Sequence, residues 1–188
     1  ERFLVTGALG CIGAWTVKRL LDEGVSVWTY DLPGNPHRLR LIMDDEQLSR
    51  VNTVEGDITD QSRFEQVVAD NGITHIIHLA ALQLPFVRAN PPLGMNVNVV
   101  GTTIVFETAK KYQDHVQSVV YASSVAVYGP VHLYPPGPIK HDAPLMPASL
   151  YGVSKQANEW TARVYWQDYQ LRTVGLRPFY VYGPGRDQ

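Results

Sequence analysis

Two hydrophobic periods alternate along the chain. Short runs rich in β-branched and aromatic residues occupy 3–5, 25–31, 51–55, 75–79, 116–122 and 172–176, and each predicts a strand. The run at 75–79 is almost continuously apolar, as a parallel strand buried on both faces requires. Between the strands the period changes to that of a helix. Gly13, Val17, Leu20, Leu21 and Gly24 fall on one stripe, with Lys18, Arg19, Asp22 and Glu23 off it, and Gly24 supplies a natural stop. The segment 56–60 reads as a turn ending in a helix cap, followed by a helix over 61–71 with Phe64, Val67 and Val68 inward. Further helices are predicted over 93–112 and 150–168. Residues 35–50 show no clean strand period and predict a loop with one helical turn. Residues 129–147 hold six of the thirteen prolines and predict a stiff loop. Strand and helix alternate six times, which predicts an α/β fold: a Rossmann-type doubly wound parallel sheet with helices on both faces.

Composition narrows the class. A chain of 188 residues suits one compact domain, here 1–188. With 45% apolar residues, 18% charged residues and a net charge of −2, nothing points to nucleic acid or to a membrane surface. The apolar runs are far shorter than a bilayer span and no signal peptide is visible, so the expected location is the cytoplasm. The single cysteine, Cys11, excludes an internal disulfide framework and fits a reducing compartment; inside a glycine turn it reads as a small filler. His75 and His78 have no partner at metal-ligand spacing and read as structural, and no metal is expected.

The candidate chemistry begins where strand 3–5 meets Gly7, Gly10 and Gly13. Gly7 allows a sharp turn, Gly10 removes a Cβ that would hold a pyrophosphate off the backbone, and Gly13 lets the helix lie close to the sheet. The helix N-terminus then offers N–H groups and a positive dipole end. The spacing is Gly-x-x-Gly-x-x-Gly, and glycines at such a turn can also be purely structural. Asp31 ends the second strand eighteen residues after Gly13, where a dinucleotide fold places the carboxylate for the adenosine ribose; the alternative is a strand-terminal Asp in a turn with Pro33 and Gly34. Leu79, Ala80 and Ala81 follow the fourth strand, where small residues admit a ligand or pack tightly under a helix. Tyr151 and Lys155 lie four residues apart on one helix, so their side chains share a face. A tyrosine with a reference pKa of about 10 is a poor base at neutral pH, and a nearby ammonium favours its phenolate. Ser124 stands at the C-terminal end of strand five, the ligand-binding end of open α/β sheets, and could hydrogen-bond the same substrate oxygen or simply form a turn.

At these positions the chain resembles the extended short-chain dehydrogenases/reductases, in particular the NAD-dependent sugar epimerase/dehydratase group. The resemblance covers essentially the whole chain. It rests on Thr6-Gly7-Ala8-Leu9-Gly10-Cys11-Ile12-Gly13, Asp31, Gly56-Asp57-Ile58, His78-Leu79-Ala80-Ala81, Asn98-Val99-Val100-Gly101-Thr102, Ser123-Ser124-Val125-Ala126-Val127-Tyr128-Gly129, Tyr151-Gly152-Val153-Ser154-Lys155 and Arg177-Pro178-Phe179-Tyr180-Val181-Tyr182-Gly183-Pro184.

The resemblance implies NAD as cofactor, with Gly7, Gly10, Cys11, Ile12 and Gly13 in its turn. It further implies that Asp57 and Ile58 flank the adenine and that Leu79, Ala80 and Ala81 line the pyrophosphate and ribose. Asn98 would support the cofactor end of the site. Lys155 would hold the nicotinamide ribose and tune Tyr151, while Ser123 and the backbone from Pro178 to Val181 would border the nicotinamide. Ser124 would orient the substrate, and Tyr151 would take the proton of a hydroxyl whose carbon gives up a hydride. The implied substrate is a sugar or nucleotide sugar, and the implied reaction is epimerisation, or dehydrogenation of a sugar or other small alcohol with net NADH. A nucleotide-sensing or scaffold protein without chemistry is the reading of a different class. Relatives usually form a homodimer through the helices at 93–112 and 150–168; Trp160, Val164 and Tyr165 are candidates for that surface, or could face the sheet. Arg38 and Arg40 could admit NADP if their loop folds back. Two departures stand out. The smaller C-terminal lobe with which the family selects its substrate does not appear before Gln188, and Val125-Ala126 follows Ser124 where family dehydratases carry Asp-Glu, which argues against dehydration.

Overall fold

The computed structural model describes residues 1–140 and 142–186. The chain runs β1 (Arg2–Thr6), α1 (Cys11–Asp22), β2 (Ser26–Asp31), α2 (His37–Ile42), α3 (Asp45–Ser49), β3 (Val51–Glu55), α4 (Gln61–Asp70) and β4 (His75–His78). It continues with α5 (Leu84–Ala89) and α6 (Pro91–Met95), which passes through a π-helical turn (Asn96–Val100) into α7 (Gly101–Lys111). Then follow β5 (Ser118–Ala122), a 3-10 turn (Val125–Val127), a second 3-10 turn (Val131–Leu133), α8 (Leu150–Tyr169) and β6 (Thr173–Leu176). The stiff proline-rich loop at 129–147 is present, although residue 141 within it lies outside the described residues.

All six strands are parallel, in the order β3-β2-β1-β4-β5-β6. The order reverses between β1 and β4, so the loops leaving these two strands diverge and open a crevice at their C-terminal ends. Because side chains alternate across a strand, Leu4 and Ile76 enter the core with Phe64, Phe106 and Tyr121, and Val5 and Val27 enter the core on the other face with Val17, Leu21 and Leu39. Among the described residues, no helix is long and apolar enough to cross a membrane.

Two expectations need correction, and one open alternative is resolved. Residues 35–50 contain two short helices. Asp44 accepts from Gln47 N and Gln47 returns a bond to Asp44 N, a capping box that starts α3, while Leu39 and Met43 are buried against α1. The helix expected over 93–112 starts at Pro91 and widens to π geometry at Asn96–Val100, and α5 had no counterpart in the hydrophobic pattern. Tyr165, left between the dimer surface and the sheet, turns inward. It is 8% exposed, tilts against Phe106 and donates its hydroxyl to Glu107, whereas Trp160 and Val164 on the same helix are 51% and 47% exposed.

Candidate active site

The glycine turn is set by space as much as by flexibility. Gly7 has a φ of +67°, and a Cβ there would stand 2.6 Å from Ala80 N; a Cβ on Gly13 would stand 2.2 Å from the Gly7 carbonyl oxygen. Both contacts are too short for any side chain, so these residues let α1 approach β1 and β4. Gly10 differs. Its Cβ would meet only the Gly7 oxygen at 3.2 Å and otherwise face the open crevice. Gly10 is also the N-cap of α1 and brings no side chain to it, so the first N–H groups of the helix, at Cys11, Ile12 and Gly13, have neither an intrahelical acceptor nor a cap. They line a cleft of about 440 Å³.

At one end of this cleft lie Asp31, Asp57, Ile58 and the buried Tyr30. The Asp31 carboxylate accepts from Leu9 N at 2.8 Å and from Leu32 N at 2.9 Å, so it ties the glycine turn to β2 while facing the cleft. Burial raises its pKa, and the two backbone N–H bonds oppose that rise. Tyr30 donates to the Asp57 carbonyl at 2.9 Å and fixes the loop after β3. Arg38 does fold back: it donates to the carbonyls of Leu9 (3.2 Å) and Gly185 (2.8 Å), which ties the segment after β6 to the glycine turn. Trp15 Nε1 adds a bond to the Pro184 carbonyl at 3.0 Å.

The middle wall is formed by Leu79, Ala80, Ala81 and Leu82. A buried proton chain holds it. Thr102 spends its hydroxyl proton on the Asn98 carbonyl (2.7 Å), so His78 Nε2 must donate to Thr102 Oγ1 (3.0 Å). His78 Nδ1 is then an acceptor for the Thr6 hydroxyl (2.7 Å), leaving Thr6 Oγ1 to accept from Leu79 N and Ala80 N, each at 3.2 Å. Burial, with the Lys155 charge adding to it, pushes the His78 pKa down to about 3, which agrees with a neutral ring. Asn98 does not line the cleft. It is buried in the π turn and grips the backbone of Leu82 from both sides, accepting from its N–H (2.7 Å) and donating to its carbonyl (2.9 Å).

Tyr151, Lys155, Ser123, Ala122 and Pro178 close the far end. Ser149 caps α8 through Gly152 N at 3.1 Å, and a Cβ on Gly152 would fall 2.2 Å from the Ala126 carbonyl oxygen. Only glycine lets α8 start so close to the turn at Val125–Val127, and this closeness brings Ser124 near enough to Tyr151 to act on its pKa. Ser124 Oγ also accepts from Ala126 N at 3.1 Å. Lys155 is buried, donates to the Ala122 carbonyl at 2.8 Å, and has its pKa lowered to about 8 by burial. Its Nζ lies 5.7 Å from the Tyr151 ring centre. The expected effect on the tyrosine is not what the folded chain gives: burial raises the Tyr151 pKa, and the opposing influences are the Ser124 hydrogen bond and the charge of Arg186. Tyr151 is therefore a phenol at neutral pH in the protein alone.

Of the residues anticipated from sequence, Ser124 reaches the cleft through Tyr151 and Asn98 through Leu82. Val181 lies elsewhere, in an apolar groove beside Trp15 and Leu176 that shares Pro178 with the cleft. Three further participants were given no role from the sequence. Arg186 lines the cleft because the segment after β6 folds back, which no local pattern announces. Glu159 and Arg177 form a bidentate pair, Nε to Oε1 at 2.7 Å and Nη2 to Oε2 at 2.5 Å, and Arg177 also donates to the Tyr128 hydroxyl. Helical spacing could have found Glu159, which follows Tyr151 and Lys155 at four-residue steps on one face of α8. Among the described residues, no group of three or more His, Cys, Asp or Glu side chains is placed to hold a metal ion.

Comparison with known proteins agrees with this architecture. A model of the NAD dependent epimerase/dehydratase family matches residues 3–188. The chain is 34% identical over 185 residues to UDP-glucuronate 4-epimerase 2 of Arabidopsis thaliana, covering 96% of this chain and 42% of that protein. It is 36% identical over 189 residues to UDP-glucose 4-epimerase of Mycolicibacterium smegmatis, covering 99% and 58%. The crystal structure of Thermus thermophilus UDP-glucose 4-epimerase in complex with NAD superimposes with a TM-score of 0.79 at 31% identity, over 94% of this chain and 54% of that one. The chain thus spans about half the length of the curated relatives it matches. With the cleft, the glycine turn and the family match in agreement, the chain belongs to the NAD dependent epimerase/dehydratase family, a family of NAD-dependent enzymes.

Proposed function

We propose that these residues form the cofactor-binding and proton-transfer half of an NAD-dependent epimerase that inverts a hydroxyl-bearing carbon of a nucleotide sugar. The observation that carries the reading is a single cleft with an uncapped helix N-terminus and Asp31 at one end and Tyr151 and Lys155 at the other, Ser124 standing beside Tyr151. The donor set suits a dinucleotide. The free N–H groups at Cys11, Ile12 and Gly13 would hold a diphosphate over the open face of Gly10, and Asp31 retains unused lone pairs for ribose hydroxyls. Bound NAD supplies reversible hydride acceptance.

The chain's own residues do the proton work. Tyr151 takes the proton of the substrate hydroxyl, and Ser124 orients the same oxygen through the hydroxyl that already meets Tyr151. Because burial holds Tyr151 protonated in the protein alone, its activation requires positive charge brought close by, from Lys155 and from the oxidised ring. Val125 and Ala126 carry no ionisable atom, so the site lacks the second acid/base pair that loss of water would need. The likeness to UDP-sugar 4-epimerases supports a UDP-sugar substrate. The half-exposed Trp160 and Val164 on α8 support a homodimer through that helix.

The test is to titrate NAD into the protein and then supply UDP-glucose and UDP-glucuronate, following NADH and resolving the products by stereochemistry and mass. The C4 epimer without net NADH is expected. NADH formed in step with product would make the enzyme a dehydrogenase, a product lighter by one water would overturn the assignment, and failure to bind NAD would refute it at the first step.

A further inference from the structure

Ser123 and Ser124 adjoin at the C-terminal end of β5, yet their protons are committed differently. Ser123 Oγ lies 2.5 Å from Glu159 Oε1. The Glu159 carboxylate is clamped by both Nε and Nη2 of Arg177, a pairing that keeps it ionised and therefore an acceptor only. A hydroxyl has one proton, and Ser123 must give it to Glu159. What Ser123 presents to the cleft is lone pairs alone. It does so from a nearly closed position, 2% exposed but on the cleft wall. Ser124 accepts from Ala126 N and keeps its proton to donate.

Two backbone acceptors on this wall already hold one donor each. The Ala122 carbonyl receives Lys155 Nζ at 2.8 Å, and the Pro178 carbonyl receives Val125 N at 3.2 Å. A ligand group seated between Tyr151, Lys155 and Pro178 that needs an acceptor finds in Ser123 a side chain that can only accept. Within a nicotinamide, the one N–H donor is the carboxamide amino group.

We infer that Ser123 is the hydrogen-bond acceptor for the carboxamide amino group of bound NAD, and that Glu159, held by Arg177, is the positioning residue that fixes Ser123 in this polarity. The inference rests on the proposed NAD reading of the cleft. Its consequence is that the nicotinamide is held by its amide in one orientation while the sugar is free to present either face.

The test compares NAD with 3-acetylpyridine adenine dinucleotide, in which a methyl group replaces the amino group, by calorimetric titration of the wild-type protein, Ser123→Ala and Glu159→Gln. Loss of one partner from a buried hydrogen bond predicts that wild type favours NAD by about tenfold. Ser123→Ala should bring the ratio close to one. Glu159→Gln should also narrow it, because the amide NH2 faces an Arg177 donor in either orientation and so loosens the clamp that commits the Ser123 proton. A purely structural role would weaken both dinucleotides together and leave the ratio unchanged, and that outcome overturns the inference. So does a wild-type ratio near one. Absence of binding by either dinucleotide is a different failure and refutes the cofactor reading itself. If Glu159→Gln does not fold, the ratio in Ser123→Ala decides alone.

Discussion

Replacing Gly13 by alanine should damage the fold, whereas the same change at Gly10 should damage only the cofactor site. The two glycines share a turn and differ in what surrounds them. A Cβ on Gly13 would lie 2.2 Å from the Gly7 carbonyl oxygen, 2.7 Å from Ala8 Cα and 2.9 Å from the Gly7 carbonyl carbon, all backbone atoms with no rotamer to give way. Helix α1 must move outward by a large part of an ångström, disturbing the packing of Ala14, Val17 and Leu21 against β1 and β2. Overpacking of this kind costs about 1–3 kcal/mol, which for a chain of this size lowers Tm by about 3–10 °C. At Gly10, φ is −74° and ψ is 167°, a conformation open to any residue, and the one close neighbour stands at 3.2 Å. Gly10→Ala should melt within about 2 °C of wild type. Its methyl group projects into the cleft beside the free N–H groups of α1, so NAD affinity should fall by about tenfold or more through lost charge-assisted hydrogen bonds. Thermal melts and calorimetric titration of both variants separate the effects. A Gly13→Ala protein with wild-type Tm, or a Gly10→Ala protein with wild-type NAD affinity, would refute the assignment of the turn.

Three further outcomes are expected. Asp31 faces the ribose end of the cleft as a carboxylate, so the wild-type protein should bind NAD more tightly than NADP, and Asp31→Ala should narrow the gap; equal affinities in wild type would remove Asp31 from that role. His78 has a folded pKa of about 3 against an ordinary 6.5, so the unfolded chain takes up its proton first as the pH falls, and the stability lost through this group begins near pH 6.5 and continues towards pH 3. Between pH 7.5 and 5 that is about 2 kcal/mol, and urea denaturation of His78→Gln should show a shallower loss than wild type by about this amount; parallel curves would contradict the neutral, Nε2-protonated ring. Wild-type protein should sediment as a dimer of the 21.0 kDa chain and Trp160→Glu as a monomer, and a monomeric wild type would remove α8 as a dimer face.

The sheet was legible because each strand is short and bounded by turn residues, and the alternation of strand and helix pointed to a parallel sheet. The glycine turn could be read because its constraint is steric and local, at Gly7 and Gly13. What escaped depends on segments distant in sequence. Arg186 lines the cleft only because the segment after β6 folds back, its Gly185 carbonyl held by Arg38 and its Pro184 carbonyl by Trp15. Tyr165 could not be placed inward or outward because its helix is amphipathic only weakly, and its burial is decided by Phe106 and Glu107 on α7. The capping box that starts α3 sits in a segment without a hydrophobic period, so the pattern marked no helix there. The direction of the Tyr151 pKa could not be read from a four-residue spacing to Lys155, since burial of the phenol outweighs what spacing alone suggests.

The central claim is that one cleft binds NAD and transfers a substrate proton through Tyr151. Tyr151→Phe removes the hydroxyl and keeps the ring, so the wall of the cleft is preserved. Turnover of a UDP-sugar by the variant, measured together with its NAD affinity, tests the claim most directly. The account predicts turnover lower by about two to four orders of magnitude, the range for loss of a general acid/base, with NAD affinity changed by about twofold at most. A variant that binds NAD and retains near-wild-type turnover would contradict it.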